Sequence, residues 1–232
     1  MSELSAEDFL TGQILLVDKP LTWSSFQAVN KLKYLLKRKY NFSKSFKIGH
    51  AGTLDPLATG LLIVCTGKFT KRIDEIQSQF KEYTGTFTVG ATTPSYDLET
   101  EVNQTFPTEH ITSELIQKTL QQFLGEIDQK PPIFSAIKKD GVRLYEHARA
   151  GETVEIPFRK TTIYEFEITR FELPEIDFRV QCSKGTYIRS LAFDFGKALN
   201  SGAYLSALRR TKIGDYSVDN AKLIPEFVEL YK

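Results

Sequence analysis

The residues with the most evident chemistry lie in the segment Ile48–Gly60, IGHAGTLDPLATG, where a histidine and a carboxylate stand among three glycines. Glycine lets a backbone approach another group closely or adopt a positive φ, as catalytic loops often require. Asp55 directly precedes a proline, so its carboxylate sits on a rigid turn, where it is available for covalent or acid–base catalysis. The alternative is that Asp55 only caps the turn and that His50 is a structural histidine.

Two segments further along the chain concentrate basic side chains. Cys182–Arg189 brings a lysine, a tyrosine and an arginine together at a glycine turn, and this combination suits an anion, either a phosphate or a carboxylate such as that of Asp55. Tyr204–Lys212 contains the adjacent Arg209 and Arg210. These two arginines indicate phosphate contacts or, alternatively, the solvated end of a helix.

Charge is segregated along the chain, although the net charge is only +1. Positions 19 to 54 hold eight basic residues and no acidic one, whereas positions 95 to 129 hold seven acidic residues and one basic residue. The eight basic residues are Lys19, Lys31, Lys33, Lys37, Arg38, Lys39, Lys44 and Lys47. Such a chain can present a basic face to RNA or DNA. The alternative is a solvated helix face followed by a loop.

The sequence argues against several classes of protein. No apolar run approaches the ~20 residues that span a bilayer, and the acidic start MSELSAEDFL lacks the basic-then-apolar order of a signal peptide. The run from Thr66 to Lys68 fails as a P-loop, because Leu62 stands at the first glycine position and Phe69 at the hydroxyl position. No metal-ligand pattern arises from the cysteines and histidines, which are Cys65, Cys182, His50, His110 and His147. We therefore expect a cytoplasmic protein with reduced cysteines, no metal and no nucleotide cofactor.

Regular elements must position these segments. Apolar runs and alternations predict strands, and apolar residues at helical spacing behind a capping residue predict helices. The predicted strands are Gln13–Asp18, Leu61–Thr66, Lys81–Val89, a hairpin of Thr162–Leu173 and Ile176–Cys182, and a last strand near Ile213–Val218. Four helices are predicted. The first is capped by Ser24 and buries Ala28, Val29, Leu32, Leu35 and Leu36, and the second runs from Thr112 to Gly125 and buries Ile116, Leu120, Phe123 and Leu124. The third is a short helix near Leu144–Ala150, and the fourth runs through Leu191, Phe195 and Leu199. Strands and helices do not alternate regularly, so the fold class is α+β with a mixed, largely antiparallel sheet.

Together these segments resemble the TruB family of tRNA pseudouridine synthases. The matching stretches, spread in order over Ile14–Gly214, are LLVDKPLTWSS, GHAGTLDPLATGLL, PPIFSAIKKDGVRLYEHARAG, CSKGTYIRS and SGAYLSALRRTKIG. The resemblance implies one catalytic domain over residues 1–232 with a sheet flanked by helices. It also implies a thumb-like RNA-binding insertion at residues 129–158, in a short form of the family without the C-terminal RNA-binding (PUA) domain.

The resemblance further implies that uridine 55 in the T stem-loop of tRNA is isomerised to pseudouridine after the base is flipped out of its stack. Asp55 is then the catalytic nucleophile, Tyr83 stacks on the target base, and Arg189 pairs with Asp55. The other residues that the resemblance implies at the substrate are His50, which fills the space left by the base, Tyr187 and Leu208, which wall the uracil, and Asp97. We also expect Lys19, Arg209 and Arg210 to contact the substrate. Asp97 lies in TTPSYDLETE, which lacks the glycine that follows this aspartate in the family.

The implied reaction needs no redox change, metal or nucleotide cofactor, since it exchanges the N1–C1′ bond of uridine for a C5–C1′ bond. The partner is tRNA, without a membrane, and we expect a monomer. Two other functions stay open at this point. One is a non-catalytic RNA-binding or tRNA-folding module on the same fold, and the other is a uridine synthase with a different RNA target.

Overall fold

The computed structural model describes residues 4–135, 137–139, 141–152 and 154–232. The helices are α1 (Ala6–Thr11), α2 (Ser25–Tyr40), α3 (Ile73–Ser78), α4 (Ser113–Leu120), α5 (Leu144–Arg149), α6 (Ile188–Ala198) and α7 (Ile224–Leu230). The strands are β1 (Ile14–Lys19), β2 (Ile48–His50), β3 (Ala58–Thr66), β4 (Lys81–Val89), β5 (Ala91–Thr92), β6 (Gln104–Thr105), β7 (Gly125–Gln129), β8 (Lys138–Lys139), β9 (Val142–Arg143), β10 (Arg159–Glu172), β11 (Glu175–Cys182), β12 (Ala203–Ile213), β13 (Tyr216–Ser217) and β14 (Lys222–Leu223). The predicted α+β class with a mixed, largely antiparallel sheet is confirmed.

The chain divides into two compact units. Unit 1 combines the residues up to Tyr83 with Leu208–Lys232, and unit 2 is Thr84–Ala207. Strands β4 and β12 therefore each contribute residues to both units. The assignment of residues 1–232 to a single catalytic domain stays a prediction.

Unit 1 is organised around the buried strand β3. This strand pairs antiparallel with β1 and β2 and parallel with the Leu208–Arg210 part of β12. Helix α2 packs on this sheet, and Ser24 caps it by accepting a hydrogen bond from the Gln27 N–H. All five apolar residues predicted to face the core from α2 are buried, against Val17, Val64 and their neighbours. The amphipathic pattern and the capping residue were thus sufficient to predict this helix.

Unit 2 is built on the predicted hairpin, strands β10 and β11, with β7 on the other side of β10. Alternate residues of β11 point into an aromatic core, in which the rings of Phe87 and Phe178 stack at 4.1 Å. Helix α6 adds Phe195 to the same cluster. The predicted helix through this residue is confirmed.

Three local predictions were wrong. A long strand, β12, occupies Ala203–Ile213, whereas a strand was predicted only near Ile213–Val218 and a helix end was one alternative for Tyr204–Lys212. The helix from Thr112 ends at Leu120, a 3-10 turn follows, and Leu124 is exposed because Gly125 already begins β7 with a φ of +85°. In β4 the first three residues are all buried, so the predicted alternation holds only in its second half.

The predicted thumb, residues 129–158, lies in unit 2 and includes the short pair β8–β9 and helix α5. Ala136, Asp140 and Thr153 of this range fall outside the described residues. Its function as a thumb stays a prediction. In the part of the chain that the structure describes, no helix combines the length and apolar character needed to cross a bilayer, and no group of three or more histidine, cysteine or acidic side chains is arranged to hold a metal ion.

Candidate active site

The loop that carries Asp55 comprises residues 51–57 between β2 and β3 and is called the Asp55 loop below. It is held on one side by the first turn of α2 and on the other by the segment that precedes α2. The Ser25 hydroxyl donates to the Leu54 carbonyl at 2.9 Å and accepts from the Leu54 N–H at 2.8 Å. On the other side of Asp55, the Pro56 carbonyl accepts from the Thr22 N–H at 2.8 Å. Both neighbours of Asp55 are therefore fixed through their backbones, while its own side chain is half-buried. Such fixed geometry is what a nucleophile must have to meet a substrate repeatedly in one orientation.

Arg210 on β12 also holds this loop through backbone carbonyls. Its guanidinium is almost completely buried and donates to the carbonyls of Leu61, Thr53 and Gly52 at 2.8, 3.3 and 3.1 Å. A buried cation with three carbonyl acceptors is a structural group, because desolvating it without partners would be costly. Almost none of the surface of Arg210 is accessible, and its predicted phosphate contact stays a prediction.

A glycine makes room for this arrangement. Gly60 pairs in register with Arg210 and has a φ of +101°. A Cβ at position 60 would lie 2.3 Å from the Arg210 carbonyl oxygen. The third glycine of the IGHAGTLDPLATG segment therefore allows close contact between β3 and β12.

Arg209 faces away from this buried support. Its side chain is 40% exposed and forms a bidentate ion pair with Asp18, in which Nη1 and Nη2 donate to Oδ1 and Oδ2 at 3.0 and 2.6 Å. The predicted phosphate contact of Arg209 stays open, because part of its guanidinium faces solvent.

Lys19 is fully buried at the end of β1. Its Nζ donates to the carbonyls of Pro20 and Trp23 at 2.9 and 2.6 Å, which orders the segment before α2. Burial lowers the pKa of Lys19 to about 8, while the charge of Asp55 raises it and that of Arg210 lowers it. Lys19 is thus within electrostatic range of Asp55. Lys19 has no exposed surface, and its predicted substrate contact stays a prediction.

His50, Tyr83 and Leu208 belong to the same unit as Asp55. His50 ends strand β2, where burial and the charge of Arg210 hold the pKa of its imidazole below the ordinary value. The ring is therefore neutral at pH 7. Tyr83 is buried in β4, and Leu208 is half-buried on β12 in register with Ala58.

Unit 2 brings together Arg189 and Asp97. The Arg189 guanidinium donates to the Phe134 carbonyl at 2.9 Å and lies 3.6 Å from the Asp97 carboxylate, and both side chains are buried. Asp97 is itself held, because its carboxylate accepts from the Glu99 N–H at 2.9 Å. Asp97 therefore pairs with Arg189, and its predicted substrate contact stays a prediction. The pairing of Arg189 with Asp55 stays a prediction.

Tyr187, the residue before helix α6, is held through its backbone by Gln129. The Gln129 amide accepts from the Tyr187 N–H at 2.7 Å and donates to the Tyr187 carbonyl at 3.0 Å. Gln129 is almost fully buried. Neither Gln129 nor Ser25 was found from the sequence, because each acts on a residue at least 29 positions away and only Ser24 showed a capping pattern.

Three lysines line an open cleft of about 390 Å³ in unit 1, between α2, the loop after it and the 3-10 turn at Gly67–Arg72. They are Lys33, Lys44 and Lys47. None of the three takes part in an ion pair among the residues that the structure describes. The basic segment predicted from the sequence therefore presents unneutralised positive charge to solvent.

Comparisons with known proteins identify the family of this chain. Residues 37–188 match the family described as "TruB family pseudouridylate synthase (N terminal domain)". A Flavobacterium johnsoniae protein named "tRNA pseudouridine synthase B" is 76% identical over 226 residues, which cover 97% of this chain and 99% of that relative.

Two solved structures are similar over almost the whole chain. One, titled "Crystal Structure of a Cbf5-Nop10-Gar1 Complex", is 27% identical with a TM-score of 0.72 and covers 97% of this chain and 56% of the matched chain. The other, titled "Structure of H/ACA RNP bound to a substrate RNA containing 2'-deoxyuridine", is 26% identical with a TM-score of 0.69 and covers 95% of this chain and 53% of the matched chain.

Proposed function

This chain belongs to the TruB family of pseudouridylate synthases, and on that premise we propose that it isomerises uridine 55 in the T stem-loop of tRNA to pseudouridine, with Asp55 as its nucleophile. The observation that carries the proposal is the Asp55 loop, which is fixed on both sides by backbone hydrogen bonds. The name of the 76% identical relative supports tRNA as the substrate. The proposal includes a monomer that acts in the cytoplasm.

The proposed reaction rearranges bonds without adding or removing atoms. The N1–C1′ bond breaks, the base turns, the C5–C1′ bond forms, the proton on C5 leaves and N1 gains a proton. The Asp55 carboxylate acts as a covalent catalyst towards the base or the sugar, or assists formation of a glycal. The base reaches it only after flipping, at a cost of a few kcal/mol. Stacking on Tyr83, worth roughly 1–3 kcal/mol, offsets part of that cost.

The other residues act around this centre in the proposal. Arg189, oriented by Asp97, supplies a positive charge for the Asp55 carboxylate. Neutral His50 fills the space that the flipped base leaves in the RNA, and Tyr187 and Leu208 form walls of the uracil pocket. A neutral imidazole suits this role because it can lie against bases without bringing a charge into the stack.

The proposal is tested by tritium release from 5-tritiated uridine in tRNA and in a T-arm hairpin. Both RNAs should be converted, and their kcat/KM values should agree within about tenfold, equivalent to ~1.4 kcal/mol of transition-state binding. Recognition of the T stem-loop as the essential part of tRNA explains this expectation. A hairpin that reacts a hundredfold more slowly than tRNA would place important contacts elsewhere on the tRNA.

Replacing Tyr83 should separate its two proposed roles. Tyr83→Phe keeps the ring for stacking but removes the hydroxyl, so RNA affinity should be retained while the single-turnover rate falls ~100-fold or more. Tyr83→Ala should weaken both affinity and rate. The single-turnover rate and the dissociation constant are measured separately for each variant. Tyr216→Phe, at a half-buried tyrosine of unit 1, is the control and should be nearly normal. Near-normal kinetics for both Tyr83 variants would show that Tyr83 has neither a stacking nor a catalytic role.

Neutralising the lysine-lined cleft should weaken RNA binding in a salt-dependent way. We expect the triple variant Lys33→Gln, Lys44→Gln, Lys47→Gln to bind tRNA less tightly while its single-turnover rate changes little. Each lost phosphate contact should reduce the slope of log affinity against log salt by ~0.7–0.9. Lys39, also basic, is excluded from the set because its Nζ donates to the Leu230 carbonyl at 2.7 Å.

The matched control removes the same charge from exposed or half-exposed positions elsewhere. It is the triple variant Lys118→Gln, Lys222→Gln, Lys232→Gln. The control should leave the salt slope unchanged within error. Equal slopes of log affinity against log salt for the two triple variants would show that the phosphate contacts lie outside the cleft.

A further inference from the structure

Two large apolar side chains protrude from the segment that holds the Asp55 loop. Phe26, in the first turn of α2, is 68% exposed, and Leu21 is 53% exposed. Complete burial of a phenylalanine side chain stabilises a fold by roughly 1.5–3 kcal/mol. Most of this stabilisation is absent at Phe26 because its ring is exposed. Single exposed apolar residues are common, but these two flank the residues that contact both neighbours of Asp55.

Their position relative to Asp55 follows from the hydrogen bonds of the loop. Ser25, directly before Phe26, contacts the backbone of Leu54, which directly precedes Asp55. Thr22, directly after Leu21, donates to the carbonyl of Pro56, which directly follows Asp55. Each exposed side chain is therefore one residue away from a direct contact to a neighbour of the proposed nucleophile.

The backbone that carries the two side chains is held in place. Thr22 has a φ of +67°, an uncommon conformation for a residue other than glycine, and it is accompanied by the two hydrogen bonds from the buried Lys19 to Pro20 and Trp23. An ordered support of this kind lets an exposed ring bind a ligand without a large entropic cost of ordering the chain.

We propose that Phe26 and Leu21 form a stacking platform for an unpaired nucleobase of the substrate RNA next to the flipped uridine. The proposal rests on the proposed function, because it takes RNA at Asp55 as given. Flipping one nucleotide leaves its neighbours without a stacking partner, and every base has a π-face that an aromatic ring can cover. Phe26 supplies that ring, and Leu21 covers the edge of the base. The continuity of this platform with the Asp55 loop favours the RNA as its occupant.

The test combines variants of Phe26 with RNA that lacks single bases. Phe26→Ala should weaken hairpin binding about 5- to 140-fold, equivalent to ~1–3 kcal/mol, while the single-turnover rate at saturating protein changes little. Phe26→Trp should bind like the unchanged protein, and Phe26→Leu should not, because leucine keeps the apolar bulk but has no π-face. Tyr34→Ala is the matched control, since Tyr34 is 58% exposed on the same helix about two turns away, and it should bind normally.

The base is identified by measuring each protein with hairpins that carry one abasic nucleotide on either side of the target uridine. At one position the abasic RNA and Phe26→Ala should each weaken binding, and together they should weaken it no further. Independent penalties at every position, or full affinity of Phe26→Leu, would overturn the stacking platform.

A change in oligomeric state of Phe26→Ala by light scattering, with normal RNA affinity, would also overturn it and indicate a contact between copies of the chain. Tritium release by the unchanged protein in the same assay reports separately on the proposed function.

Discussion

Asp55→Asn is expected to abolish pseudouridine formation while tRNA binding survives. Asparagine keeps the size of the side chain but cannot act as an anionic nucleophile, so a mechanism that requires covalent or charge assistance by this group loses its main catalyst. The loop should be preserved, because its hydrogen bonds to Ser25 and Thr22 involve the backbone of Leu54 and Pro56 and not the Asp55 side chain. Tritium release under single-turnover conditions measures the loss, and filter binding measures the affinity.

The control is Asp215→Asn, an exposed aspartate of the same unit in the turn before β13. It should retain normal turnover. Residual activity of more than a few per cent in Asp55→Asn, measured on protein with normal thermal stability, would remove Asp55 from the catalytic role.

The second large effect is expected on stability. Arg210→Leu removes the only side chain seen to donate to the carbonyls of Leu61, Thr53 and Gly52 within the described residues, and it leaves the Leu61 carbonyl, the buried one of the three, without this donor. Because one unsatisfied buried acceptor costs about 1–3 kcal/mol and two further hydrogen bonds from a charged donor are lost with it, the free energy of unfolding should fall by about 3 kcal/mol. Denaturant unfolding measures the change as a lower midpoint at an unchanged m-value.

Arg209→Leu is the matched control for this variant, since the two arginines are adjacent on β12. Arg209 is 40% exposed and paired with Asp18, so its loss should cost about 1 kcal/mol or less. Arg210→Lys should rescue little, because a single ammonium lacks the planar fork that reaches three carbonyls. Equal destabilisation by Arg209→Leu and Arg210→Leu would contradict the distinction between the outer and the buried arginine.

The elements with a strong local pattern could be predicted from the sequence. Helix α2 has apolar residues at helical spacing and a capping serine, and both features act within a few residues. The β10–β11 hairpin has alternating apolar residues around a proline turn. In both cases the information needed to form the element is contained within the element itself.

Strand β12 and the support of the active-site loop could not be predicted in this way. In the second half of the strand, Arg209, Arg210 and Lys212 lie close together between Leu208 and Ile213, which hides its alternation. Arg210 is buried only because carbonyls 149 to 158 positions away accept its hydrogen bonds. The burial of Lys19 and the pairing of Asp97 with Arg189 likewise depend on residues brought together by the fold.

The family resemblance identified residues around the loop that residue patterns alone left undecided. For Asp55 the pattern was compatible with a turn cap as well as with a catalyst. Among the residues predicted at the substrate, Lys19, Asp97 and Arg210 are buried and hydrogen-bonded or ion-paired within the protein. The resemblance therefore supplies the proposed site, and the hydrogen bonds and burial separate its buried residues from those with exposed surface.

The measurement that tests the central claim most directly is nucleotide-resolution mapping of pseudouridine in an unmodified tRNA transcript after incubation with the purified protein. The account predicts one pseudouridine, at position 55 in the T loop, formed by the unchanged protein and absent with Asp55→Asn. Pseudouridine at another position, or its appearance at position 55 with the Asp55→Asn protein, would contradict the account.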